Sequence, residues 1–112
     1  MHPKYTPKSH LQDVATVTNK TTAEEAFAAP ADSNDRNYVT DIVIANSSAT
    51  DTEVDIKDGT TLICKLTAPA NSGSNATSFI TPLRGSKNAA INVHTIDAVT
   101  SVFVTMTGFV QR

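Results

Sequence analysis

Turn-forming clusters along this chain are separated by segments of roughly 8–12 residues, which have strand length rather than helix length. Asp32-Ser33-Asn34, Asn46-Ser47-Ser48, Asp58-Gly59, Asn71-Ser72-Gly73 and Gly85-Ser86-Lys87-Asn88 punctuate runs rich in Val, Ile and Thr. Thr and β-branched aliphatics fit a pleated surface, and Asn, Ser and Gly serve turns. With 112 residues, the chain suffices for one domain and is too short for two independent cores. These features specify an all-β fold: an antiparallel β-sandwich of seven or eight strands, of jelly-roll or other Greek-key type. Strand spacing alone leaves the connectivity open, and no internal repeat of fixed period is visible.

Residues 1–12 read as an extended N-terminal arm and 13–112 as the sandwich. Pro3 and Pro7 oppose regular pairing, His2, Lys4, Lys8 and His10 make the arm locally basic, and Tyr5 is its aromatic anchor. Asp13–Thr18 reads as a first strand. Thr22–Ala28 reads as a strand or at most one helical turn, because its capping-box pattern is cut short by Pro30. Tyr38–Asn46, with Val39, Ile42, Val43 and Ile44 nearly continuous, has the character of a strand covered on both faces. Residues 67–75 read as a long polar loop, and Thr77–Thr81 as a short strand stopped by Pro82. A strand around Ile91 and Val93 follows. Val99–Val110 closes the chain, with Val102, Val104 and Met106 on one face and Phe103 and Phe109 on a second covered face.

The Asp58-Gly59 turn defines a hairpin. A two-residue connection there sets Asp55 opposite Leu62 and places a carboxylate on the apolar face. A three-residue connection, Lys57-Asp58-Gly59, pairs Val54 with Leu62 and Thr52 with Cys64, and puts Gly59 in the left-handed position of a G1-bulge turn. The expected hairpin is therefore the three-residue one, with Cys64 facing inward.

No catalytic constellation emerges, so the chain is read as a non-enzyme. Cys64, as an inward thiol, is a small hydrophobe. The three histidines are His2, His10 and His94, and no motif ties any of them to a nucleophile and an orienting group. Asp51, Glu53 and Asp55 alternate like the start of a calcium loop, but Gly59 stands at the wrong offset and no Glu closes the loop. They read as a solvated strand face. No Cys pair or His-x-x-x-His offers a metal site, and four scattered glycines form no phosphate cradle. No cofactor is expected. A net charge of −2 implies no attraction to nucleic acid or anionic membrane. The lone cysteine forms no internal disulfide, and no apolar run reaches the length of a membrane span or signal core. Arg84, between Leu83 and Gly85, stands out as an exposed cation in a neutral loop and is an interface candidate with Lys4, Tyr5 and Lys8.

Several stretches carry a resemblance: Tyr38-Val39-Thr40-Asp41-Ile42-Val43-Ile44-Ala45-Asn46-Ser47-Ser48, Asp58-Gly59-Thr60-Thr61, Ala68-Pro69-Ala70-Asn71, Pro82-Leu83-Arg84-Gly85 and Thr100-Ser101-Val102-Phe103-Val104-Thr105-Met106-Thr107-Gly108-Phe109. Together, over roughly residues 36–110, they resemble small β-sandwich structural proteins of tailed bacteriophages. The resemblance implies a virion protein made in the host cytoplasm, most simply a capsid decoration or cement subunit. Its partners would be the major capsid protein or other virion subunits, with homo-oligomerisation adding burial that a small core lacks. A carbohydrate- or receptor-binding module of a tail fibre is the alternative, weakened by the absence of Trp.

Overall fold

The computed structural model describes residues 9–17, 23–99 and 101–112. Eight strands are formed: β1 (Ser9–Val17), β2 (Glu24–Phe27), β3 (Arg36–Asn46), β4 (Thr52–Asp58), β5 (Thr61–Ala68), β6 (Gly73–Arg84), β7 (Ile91–Thr95) and β8 (Val102–Gln111). They build two antiparallel four-stranded sheets, one in the order β1-β8-β3-β6 and the other β2-β7-β4-β5. The neighbours β4·β5, β3·β6, β2·β7 and β1·β8 are those of one long hairpin, folded at Gly59 and rolled up on itself. The β3·β8 and β4·β7 ladders close the roll. This is the jelly-roll wiring, so the connectivity left open by strand spacing is decided.

Alternation explains the core. Val39, Ile42 and Ile44 of β3, Val102, Val104 and Met106 of β8, Val54 and Ile56 of β4, and Ile91 and Val93 of β7 are fully buried between the sheets. Ala26 and Phe27 of β2 are both buried because a bulge between Glu25 and Phe27 breaks the alternation. Two asparagines close the inward face of β3 at its ends. Asn37 Nδ2 donates to the carbonyls of Ala28 and Ala89 at 2.9 and 3.1 Å. Asn46 Nδ2 donates to those of Thr50 and Ala68, both at 2.9 Å. Loops that would otherwise bury unpaired carbonyls are thereby stitched to a central strand.

Several expectations change. β1 begins at Ser9, so residues 9–12 are ladder-bonded to Val110, Phe109, Gly108 and Thr107 rather than belonging to an arm. Lys4, Tyr5 and Lys8 lie outside the described residues. The segment around Thr22–Ala28 contains a strand, β2. β6 starts inside the expected polar loop and runs through Pro82, which is tolerated because β6 is an edge strand and residues 79–82 bulge away from their partner. The expected hairpin register is wrong. Ile56 pairs with Cys64 and Val54 with Leu66, around a two-residue turn at Gly59-Thr60. Gly59 has φ +61° while Thr60 does not have positive φ, the pattern of a type II′ turn. A bulge at Ile63 restores the parity that sequence reasoning had assigned to the turn. It leaves Leu62 opposite Lys57 and exposed on the outside.

Candidate binding surface

Residues paired directly across neighbouring strands share a face, so the ladders define what each sheet shows to solvent. The outward face of the β2-β7-β4-β5 sheet is charged. Its central row is His94, Asp55 and Lys65. Lys65 Nζ is 2.8 Å and His94 Nε2 3.3 Å from the two Asp55 carboxylate oxygens. The hydrogen bond to Asp55 raises the Lys65 pKa, and the Asp55 and Glu53 charges add to it. Asp55 is consequently buried beneath its neighbours rather than lying on an open acidic face. Asp51 is engaged as well, accepting from the Ala70 N–H at 2.7 Å. Among the described residues no group of three or more His, Cys, Asp or Glu is placed to hold a metal ion.

The outward face of the other sheet has a different character. Its rows, read from β1 to β6, begin with His10, Phe109, Tyr38 and Arg84, followed by Gln12, Thr107, Asp41 and Ser78. Beyond these lie Thr105, Val43 and Ala76, then Phe103, Ala45 and Ser74. The expectation that β3 and β8 are covered on both faces is therefore incorrect. Val43 is 45% and Phe103 41% exposed, because a jelly roll has only two layers and β3 and β8 lie side by side in one of them. Within the second row Asp41 is held by hydroxyls. Ser78 Oγ donates to Oδ1 at 2.5 Å and Thr107 Oγ1 to Oδ2 at 3.1 Å. The Ser78 bond, then those of Thr40 and Thr107, lower the Asp41 pKa.

At the end of this face Tyr38 and Phe109 stack, ring centroids 4.9 Å apart and planes within 10°. Bulges prepare the place. Thr40 is extra in β3 relative to β8, and Phe79–Pro82 are unpaired in β6, which pushes β6 outward and leaves Ile80 fully exposed at its crest. Between the aromatic pair and the bulge lies a trough of about 460 Å³ lined by Tyr38, Thr81, Pro82, Arg84, Phe109 and Gln111.

Of the sequence-nominated residues, Arg84 is thus exposed on the trough rim, paired in register with Tyr38. Cys64 is a half-buried free thiol, its pKa raised by burial against a weaker lowering from a backbone hydrogen bond at Lys65. His94 joins Asp55, and no cysteine pairs with it. Sequence reasoning missed Tyr38, Phe109 and Gln111 as a group. Their chain separation gives no signal, and only the β3·β8 and β3·β6 registers bring them together. No family model matches the chain, and no curated protein is similar to it.

Proposed function

We propose that this chain is a structural subunit of a phage virion, a capsid decoration or cement protein that docks on the shell. The docking surface is the Val43–Phe103 end of the outward face of the β1-β8-β3-β6 sheet, with residues 1–8 as a lattice-binding arm leading into β1. The carrying observation is the asymmetry between the two faces. One bears Glu53, Asp55, Lys57, Lys65 and His94. The other presents Val43, Phe103, Ala45, Ala76 and threonines, with a single hydroxyl-bound carboxylate in the middle. Exposed apolar patches rimmed by polar groups are the usual signature of protein contact. The phage-like motifs described above support the assignment to a virion, and the partner they imply is the major capsid protein or another copy of the subunit.

The test is co-sedimentation of the full chain with its own phage shells stripped of the protein. Phe103→Glu with Val43→Lys should abolish binding, whereas Lys57→Glu on the opposite face should leave it unchanged. Removal of residues 1–8, which leaves β1 intact, should weaken it at least tenfold. Undiminished binding by the Phe103/Val43 variant would overturn the face assignment, and undiminished binding by the shortened chain would overturn the arm.

A further inference from the structure

We propose that the trough beside Tyr38 binds a sugar ring carrying a carboxylate, a uronic or sialic-type acid. The site lies apart from the docking patch. Phe103 and Phe109 are six residues apart on β8, about 20 Å at the rise of an antiparallel strand, so a shell seated on Val43 and Phe103 leaves the far end of the face free.

Four features select this ligand chemistry. The first is a rigid aromatic wall. Phe109 covers one flank of the Tyr38 ring, and the Tyr38 hydroxyl donates to the Arg112 carbonyl at 3.4 Å, which holds the ring upright with its other flank toward β6. An amphipathic ring face of this kind matches the apolar C–H face of a pyranose while its surroundings stay wet. The second is Arg84, exposed, in register with Tyr38 and without an acidic partner among the described residues. A guanidinium fork of this kind pairs bidentately with a carboxylate.

The third is Gln111, which lines the trough at 9% exposure while its buried Oε1 meets no donor. A buried amide with an unmet end is costly unless a ligand or water fills it. The fourth is size, since about 460 Å³ falls in the lower part of the range of small-molecule clefts.

Other ligands fit less well. Among the described residues Arg84 is the only cation lining the trough, which suits one carboxylate rather than a polyphosphate or a nucleic-acid backbone. An added peptide strand needs a continuous ladder at the β6 edge, and Pro82 within the bulge interrupts it.

The experiment is an amide-shift NMR titration of the full chain with glucuronate, N-acetylneuraminate, glucose and benzoate. We expect one or both acidic sugars to shift residues 38, 81–84 and 109–111, with dissociation constants of about 1 mM, a typical weak-site value. Glucose should bind at least tenfold more weakly. Arg84→Ala should remove the preference for the acid over glucose, and Gln111→Leu should weaken both. Benzoate binding as tight as the acidic sugars would overturn the sugar assignment in favour of a planar aromatic acid. No shifts at these residues with either acid, or an acid preference that survives Arg84→Ala, would overturn the site. Arg84→Ala should still co-sediment with shells, so failure of this site and failure of the docking face give different results.

Discussion

Gly108 is the position at which the sandwich has no room for a side chain, and Gly108→Ala measures how tightly β3 and β8 are held. The residue is buried in β8, opposite Leu11 of β1 and Val39 of β3. A Cβ built there lies 1.9 Å from the Tyr38 carbonyl oxygen, and 3.0 Å from both the Tyr38 carbonyl carbon and Phe27 Cε2. Relief requires β3 and β8 to part locally by about 1 Å, which forfeits a large share of the van der Waals well of every contact across the gap. No rotamer change removes the clash, because the nearest obstacle is main chain in the middle of a sheet. Overpacking usually costs about 1–3 kcal/mol, and a backbone obstacle places this variant at about 3 kcal/mol or more. At about 4–8 °C per kcal/mol for a domain near this size, the midpoint should fall by about 12–24 °C. Gly59→Ala is the comparator. Nothing lies within 4 Å of its Cβ, so its cost is only that of φ +61°, about 1–2 kcal/mol. Thermal and urea unfolding followed by far-ultraviolet circular dichroism provide both values. The near-ultraviolet signal of a chain with two tyrosines and no tryptophan should also drop in Gly108→Ala as Tyr38 leaves Phe109. If Gly108→Ala loses no more stability than Gly59→Ala, the tight β3–β8 approach does not exist in solution.

Two further outcomes are expected. Asn46→Ala should cost about 3 kcal/mol, since it strands the Thr50 and Ala68 carbonyls and removes the acceptor of the Ser48 N–H and Oγ. Asn75→Ala, which breaks bonds to Thr67 and Thr77 on the edge strand β6, should cost less than half as much, and equal midpoints in urea would refute the stitching role. Asp41→Asn tests the hydroxyl cradle. Because the folded pKa is lowered, the carboxylate contributes stability above its unfolded pKa, and that contribution is lost as pH falls through the folded value. The gap between the melting temperatures of wild type and variant should therefore narrow from neutral pH toward about pH 2. A gap that stays constant would show that the hydroxyls do not favour the ionised form.

The residues that could be read in advance were those whose environment is local. Ile91 and Val93, Val54 and Ile56, and Val102, Val104 and Met106 alternate, and alternation on a strand leaves only two possible facings. Gly59 announced a left-handed turn because a residue without Cβ adopts positive φ freely. Arg84 was recognisable as an exposed cation, although its neighbours were not.

What failed depended on distant partners. A bulge at Ile63 costs one unpaired residue and reverses the parity of everything beyond it, so alternation in β4 and β5 fitted two registers equally well. The apolar run in β3 looked doubly covered because Val43 is as hydrophobic as Ile42, and only the layer count exposes it. From residue order alone follow an all-β chain, the approximate strands and an aliphatic seam, since strand periodicity and turn chemistry act over a few residues. Tertiary structure decided the jelly-roll closure, the contrast between a charged and an apolar face, and the trough at Tyr38. Those arise where strands far apart in the chain are aligned by hydrogen bonds, and the free energy of that alignment belongs to no single segment.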